Sequence, residues 1–461
     1  MLLDSEQAKD TMTSVISTFE KSDVDYGDIR FNQGTSRVVF KDKEEETIGS
    51  GSNFGFHLRV FKKGEWRSLG ISEFEKTKII ESAKKLCNFS PFPKKISLTK
   101  IEDWNFHREL KPKKQAEMHE MIGMMRDIFK MTKSSSKKIV DVVSNTAVED
   151  VEKIFMNTAG SNLFDRFPRT RYFVLVVSKE GPRIERDVAG KGAMQGYEFI
   201  DGQDWEKVCS ETAKSATDLL KAENPPSGKN MVILDEDMSG LLAHESCGHG
   251  LEADQVLRNR AYFYQFFKKR VAPDMVSISD DSRYPEAYGS YSFDDEGTKS
   301  KKNMLVENGI LKSFIHSIES ASVLNATPTG NGRAQDFAHK VFVRMSNTYF
   351  EPGNWKFEEI LEGVKKGLYL VGGSHGMEDP EGGGMQISSI KAYQIENGEL
   401  KNILRGCTLT GNVVKLLMNI DAVSKSFDLR PGSCGKGHED YVAVTSGGPH
   451  LRVKEAIVGA G

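Results

Sequence analysis

Gly240-Leu241-Leu242-Ala243-His244-Glu245-Ser246-Cys247-Gly248-His249-Gly250 puts two imidazoles and a carboxylate within six residues. Neutral imidazole is a common zinc ligand, and metal hydrolases keep a glutamate beside the first histidine as the base that works on water. In the familiar H-E-x-x-H pattern the histidines are four apart, about 40° off in projection on an α-helix, so both face one metal. Here the pattern is H-E-x-x-x-H, and a regular helix would separate His244 and His249 by roughly 140°. One metal can take both only if the helix widens locally, as in a π-bulge, or ends within the motif. Gly248 would ease either distortion.

The chain around this motif reads as two parts. Upstream, Met231 to Leu234 is a strand leading into a helix over 237–252. Downstream, Val306-Glu307-Asn308-Gly309-Ile310 and Ile395-Glu396-Asn397-Gly398-Glu399 are hairpins on tight Asn-Gly turns. Of the 42 glycines, 28 lie from Gly228 onward, so this half is rich in turns. The N-terminal half opens with an amphipathic helix on Ala8, Met12, Val15, Ile16 and Phe19, followed by β-rich runs at 28–31, 37–40, 54–61 and 66–71. Helices over 72–86, 114–133 and 205–220 and strands at 139–144 and 172–177 complete it. The methionines of the second helix (Met118, Met121, Met124, Met125, Met131) read as a core-facing stripe, and Cys209 as core. Asn224-Pro225-Pro226-Ser227-Gly228 breaks the last helix and marks the boundary. The expectation is an α+β protein: a mixed α/β domain over 1–227, then a Gly-rich, mainly antiparallel β domain over 228–461 carrying the metal-binding helix.

With 63 Lys and Arg against 66 Asp and Glu, no basic excess exists to neutralise phosphates, which argues against nucleic acid as partner. The N-terminus, Met1-Leu2-Leu3-Asp4-Ser5-Glu6, carries acid where a signal peptide carries base, and no apolar run approaches a membrane span. Five scattered cysteines show no framework spacing. These features point to a cytoplasmic protein without membrane partners.

A catalytic zinc takes three protein ligands and keeps one open position. His244 and His249 supply two; Cys434, Glu252, Asp254, His375 and His438 are candidates for the third. Cys434 sits in Gly432-Ser433-Cys434-Gly435-Lys436-Gly437, where Lys436 would favour the thiolate, although a buried free thiol is the plainer reading of this cysteine taken alone. The loop is no nucleotide cradle, because no Ser or Thr follows the lysine.

The stretch 240–254 resembles the signature helix of the TldD/PmbA family of zinc metallopeptidases. Asp294-Asp295-Glu296-Gly297, Pro328-Thr329-Gly330-Asn331-Gly332-Arg333, Arg344-Met345-Ser346-Asn347-Thr348 and Pro431-Gly432-Ser433-Cys434-Gly435-Lys436 follow in the family's order. Thinner matches sit at Tyr26-Gly27-Asp28-Ile29-Arg30 and Gly55-Phe56-His57-Leu58-Arg59. The resemblance implies that His244, His249 and Cys434 bind one zinc per chain and that Glu245 is the catalytic base. It points to the metal-carrying, TldD-type branch. It also implies unfolded or short peptide substrates and a dimer, with a second copy or a TldE/PmbA-like paralogue.

Several residues admit two readings. Cys247 is a redox or fourth-ligand candidate, but more plainly a small core filler. Asp294-Asp295-Glu296 reads as an acidic turn before a cation site. Arg333 is a candidate to hold a substrate carboxylate or carbonyl, and the run 372–384 a flap or a plain glycine loop. The reading that results is a zinc metallopeptidase, with an extended peptide held by main-chain hydrogen bonds along exposed sheet edges. Its rivals are a non-catalytic regulatory subunit whose structural metal takes Cys247 or Glu252 as fourth ligand, and a zinc amidohydrolase acting on a non-peptide amide.

Overall fold

The structure, a computed structural model, describes residues 2–92, 96–436 and 439–461. In chain order the N-terminal elements are α1 (Ser5–Glu20), β1 (Tyr26–Lys41), β2 (Glu46–Lys62), β3 (Glu65–Ile71), α2 (Lys76–Cys87), β4 (Asn105–Glu109), α3 (Met118–Ser134), β5 (Ile139–Asn157), β6 (Asn162–Glu180), β7 (Arg183–Ala193), α4 (Glu198–Asp201) and α5 (Trp205–Leu219). The strands form one sheet in the order β3-β2-β1-β5-β6-β4, with β7 also on β6. All its pairings are antiparallel except β4–β6. Side chains alternate along β1, and the two faces have different fates. Ile29 and Phe31 point into a core closed by Met12 and Phe19 of α1 and Ile79 of α2. Asp28 and Arg30 are also buried, on the face turned to the rest of the chain. A second core sets Met121 and Met125 of α3 and Cys209 of α5 against Val142, Val174 and Val176. The methionine stripe is thus core-facing, with Met131 at its exposed margin.

The remaining strands follow residue 227: β8 (Gly228–Leu234), β9 (Ile278–Asp281), β10 (Lys302–Glu307), β11 (Ile310–Leu311), β12 (Gly332–Arg333), β13 (Phe342–Val343), β14 (Asn347–Phe350), β15 (Lys366–Glu378), β16 (Gly384–Glu396), β17 (Glu399–Arg405), β18 (Cys407–Asn412), β19 (Ile420–Val423), β20 (Asp428–Lys436), β21 (Glu439–Gly448) and β22 (Leu451–Ala460). They build a sheet β11-β10-β9-β14-β21-β20, a sheet β15-β8-β22-β18-β16-β17 with β19 on β22, and the β12–β13 pair. Pairing is antiparallel apart from β14–β21 and β15–β8. Both Asn-Gly turns are two-residue connections, closing Glu307↔Ile310 and Glu396↔Glu399. Asn308 and Asn397 take φ of 47° and 49°, the left-handed conformation this turn requires. All five cysteines are free and buried, and no described helix is long and apolar enough to cross a membrane.

The C-terminal part carries one helix between its two large sheets, α6 (Glu236–Ala243). Asp235 caps it, accepting from the Met238 N–H at 2.8 Å and tying down Gly372 of β15 with its other oxygen, also at 2.8 Å. Met238, Leu242 and Ala243 lie in the main core with strands of both sheets. The helix expected over 237–252 is shorter and changes character. After Ala243 it becomes a π-turn over His244–Gly248 and then a 3-10 turn over His249–Leu251, and Glu252 is extended.

The two parts are bolted together by charge. Arg59 on β2 lies opposite Asp28 on β1, pairs with it at 2.7 Å, and reaches across to Glu296. Lys153 pairs with Asp295 at 2.8 Å, Arg30 donates to the carbonyls of Asp336 and His339, and His57 donates from Nδ1 to the Phe337 carbonyl at 2.8 Å. Asp294 accepts from the Glu296, Thr298 and Gly332 N–H groups. The acidic run 294–296 is therefore a braced turn and an interdomain anchor.

Candidate metal centre

The π-turn resolves the five-residue spacing. His249 N–H bonds to the His244 carbonyl five residues back, one residue more than in an α-helix. That turn brings the imidazoles face to edge, with centroids 5.1 Å apart. Ser246 back-bonds through its hydroxyl to the Leu242 carbonyl at 2.5 Å, a contact that loosens a helix at this point. Gly248 contributes differently from the sequence expectation. Its φ is −63°, open to any residue; what requires glycine is that a β-carbon there would collide with Sδ of Met345.

Cys434 arrives from β20, an edge strand, next to a register shift between Cys434 and Lys436. Its Sγ lies 3.2 Å from His249 Nε2. One donor atom from each of His244, His249 and Cys434 lies within 4.8 Å of the others. Burial alone would raise the Cys434 thiol; the imidazoles of His244 and His249 more than offset it and bring it down to about 5.

A buried charged layer holds this group. Lys436 pairs with Glu252 and with Asp254, each at 2.8 Å. Against the cost of burial, Lys436, His249 and Arg344 bring the Glu252 carboxyl down to about 2. Glu252 in turn stands 3.6 Å from His249 Nδ1, on the side of the ring away from Cys434, the usual place for a carboxylate that orients a histidine ligand. Arg344 donates to the Cys434 carbonyl at 2.7 Å and lies 3.8 Å from Glu252. Glu252 and Cys434, set against burial, raise His249 well above its ordinary value. The anions on both sides of that ring favour a positive charge at the centre. Two imidazoles and a cysteine poised as thiolate, in mutual reach, are a donor set that fits zinc.

Of the other third-ligand candidates, Glu252 and Asp254 are taken up by Lys436, and His375 is exposed on β15, outside the groups of possible metal-holding residues found among the described residues. His438 lies outside the described residues. The lysine is not what favours the thiolate: Lys436 serves Glu252 and Asp254, and the imidazoles act on Cys434. Cys247 is fully buried in the apolar core, its thiol pushed up to about 12 by burial, which is the core-filler reading. Arg333 is 7% exposed and donates to the carbonyls of Met345 and Ala443.

Glu245 leaves the same π-turn as His244 and stands outside the His244–His249–Cys434 set. Its carboxylate comes within 4.8 Å of His249 and of Glu378 at the end of β15. Burial, with the Glu245 charge added and His249 opposing, raises Glu378 to about 7. Nothing in the sequence singled out Glu378, which lies 133 residues from Glu245 with no motif around it.

The centre faces a cleft of about 510 Å³ lined by His244, Glu245, the 373–376 segment of β15 and, from the N-terminal sheet, Phe173 and Val188. Beyond Leu370, β15 has left β8 and pairs only with β16, so its glycine segment offers one open edge. The edge strand β20 lines the cleft through Arg430 to Ser433.

A family model described as the PmbA/TldA metallopeptidase C-terminal domain matches residues 227–460, and one described as the central domain of the same group matches 111–220. The chain is 37% identical over 441 residues to a metalloprotease of Methanocaldococcus jannaschii, covering 93% of this chain and 96% of that one. It is 29% identical over 456 residues to a zinc metalloprotease TldD homolog of Saccharolobus solfataricus, covering 97% and 99%. Among solved structures, TldE of Thermococcus kodakarensis shares the fold with a TM-score of 0.81 at 18% identity, covering 98% of this chain and all of that one.

Proposed function

Because the chain belongs to the PmbA/TldD metallopeptidase family, we propose that it is a zinc-dependent peptidase acting on unfolded or short peptides, with Glu245 as general base. The observation that carries this is the π-turn. It turns His244 and His249 toward Cys434 and, from the same turn, presents the carboxylate of Glu245 beside that group at the cleft. His244, His249 and Cys434 would hold the zinc ion, which would supply Lewis-acid chemistry at the cleft. Glu245 takes the proton of the attacking water and returns it to the leaving amine. The open edge of β15 and the edge strand β20 supply backbone donors and acceptors for an extended peptide. Folded proteins, whose backbone is already paired, would be poor substrates. The same reading has the chain working as a dimer, with a second copy or a TldE-like paralogue.

The structural-metal alternative needs a fourth protein ligand. Cys247 is in the apolar core and Glu252 is paired with Lys436, which speaks against both candidates for it. The test is metal analysis together with hydrolysis of an unstructured peptide library. Glu245→Ala should retain zinc and lose on the order of a hundred- to ten-thousand-fold in rate, whereas His244→Ala should lose zinc and activity together. X-ray absorption should find a sulfur scatterer at about 2.3 Å. Full activity in Glu245→Ala would remove the base. A zinc-loaded wild type that cleaves nothing, alone or beside a TldE-like partner, would favour the binding-subunit alternative.

A further inference from the structure

A second cavity of about 250 Å³ adjoins the cleft, and the two share Arg171 and Ser433 on their walls. Four cations line it: Lys153, Arg169, Arg171 and Arg333. Two of them are occupied, Lys153 by Asp295 at 2.8 Å and Arg333 by two main-chain carbonyls. The other two are held less tightly. Arg169 pairs with Glu149 only at 4.0 Å, and Arg171 makes no ion pair among the described residues. The Nε atoms of both are buried without a hydrogen-bond partner.

These two arginines are fixed in place. They are two apart on β6 and so project from the same face. Their guanidinium carbons lie 5.2 Å and 5.9 Å from the ring centroid of Tyr288, a contact that holds the planes and leaves the N–H edges free. Burial first, and the neighbouring Arg169 charge among the lesser causes, lowers Arg333 below its ordinary value. Buried N–H donors such as these two Nε atoms are ordinarily paired, and the planar fork of arginine matches a carboxylate in two parallel bonds. Glu149, Asp294 and Asp295 share the walls, which suits a single negative charge better than the double charge of a phosphate.

We propose that Arg169 and Arg171 form a subsite for a carboxylate of the peptide substrate, set off from the metal centre along the shared wall. This rests on the peptidase reading, because it is the wall shared with the cleft of Glu245 that makes the carboxylate a part of the substrate. The subsite favours peptides with a carboxylate at a fixed distance from the cleaved bond, supplied by the chain terminus or by an acidic side chain.

The test reads binding, which does not depend on turnover. One unstructured peptide sequence is prepared with a free C-terminal acid, as the C-terminal amide, and as the amide carrying one internal Asp scanned along the chain. Affinities are measured by calorimetry for the zinc-loaded Glu245→Ala protein, and hydrolysis of the same peptides is measured with wild type. Binding at least tenfold weaker for the amide, restored by no internal Asp, assigns the subsite to the terminus. Restoration at one position assigns it to an acidic side chain. Equal binding of all three forms overturns the proposal, even if wild type cleaves them; a charge preference without cleavage upholds the subsite and sinks the peptidase reading. Arg169→Gln with Arg171→Gln should abolish the preference, and its persistence would place the carboxylate elsewhere. The peptide series on protein with both arginines intact decides the question should the double variant not fold.

Discussion

Gly376 of β15 faces the side chain of Glu245 so closely that the position has no room for a β-carbon. One built there would lie 2.6 Å from Cγ and 2.7 Å from Cδ of Glu245, and nearer still to Oε1. The backbone of a cleft-lining strand thus fixes where the Glu245 carboxylate stands. Gly376→Ala is expected to push the Glu245 carboxylate aside while leaving His244, His249 and Cys434 in place. A displacement of about 1 Å can cost on the order of a hundredfold in rate. The expected outcome is a full zinc complement with hydrolysis reduced by about that factor; an unchanged rate would show that the carboxylate does not act from this position.

Glu252 reaches the metal group through His249 and is itself held by Lys436 and Arg344. Glu252→Gln keeps the shape and removes the charge, leaving Lys436 matched by Asp254 alone. Loss of such an orienting carboxylate typically costs about 10- to 100-fold in metal affinity. Competition with a chromogenic chelator measures this directly. Zinc affinity equal to wild type would mean that the carboxylate neither orients His249 nor strengthens the site.

What the sequence made legible follows from local rules. The spacing of His244 and His249 conflicts with 3.6 residues per turn, so a distorted helix could be read before any coordinates, and the Asn-Gly turns declare a positive φ. Strand length was not legible. The run 28–31 and 37–40 is one strand, β1, whose middle (Gln33, Gly34, Thr35, Ser36) has no apolar residue for an alternation rule to find, although Gln33 is buried against Glu152. Pairings between residues distant in sequence were equally silent. Arg333 looked available because its acceptors, the Met345 and Ala443 carbonyls, lie 12 and 110 positions further along the chain. Lys436 looked like the neighbour of Cys434, and its partners lie 182 and 184 positions back. Glu378 entered the site only because β15 runs past the π-turn.

Arg59 carries the interdomain bolt between Asp28 and Glu296 and lies 4.4 Å above the ring of Trp66. Arg59→Met would preserve much of the stem packing and strand two carboxylates in a buried setting. Removing one partner from a buried ion pair typically costs about 3–5 kcal/mol. Denaturant unfolding should show a loss of that order; a loss below about 1 kcal/mol would mean that water or a rearranged neighbour takes the guanidinium's place.

His57 is a buried neutral imidazole at the same interface, donating to the Phe337 carbonyl, with Nε2 lacking a partner. Burial first, then the positive charges of Arg30 and Arg59, lower it to about 3, with the Phe337 carbonyl and Asp295 opposing. In the unfolded chain a histidine titrates near 6.5. Between about pH 6.5 and 3 the unfolded state binds the extra proton, so the contribution of His57 is fully present above pH 6.5 and is lost as pH falls through that window. His57→Asn keeps a side-chain N–H for Phe337 and removes the titration. The difference in unfolding free energy between wild type and this variant should therefore shrink on acidification, by up to about 1.4 kcal/mol per pH unit. A difference that stays flat from pH 7 to pH 4 would mean that His57 takes up its proton alike in the folded and unfolded chain, and that burial does not hold it neutral.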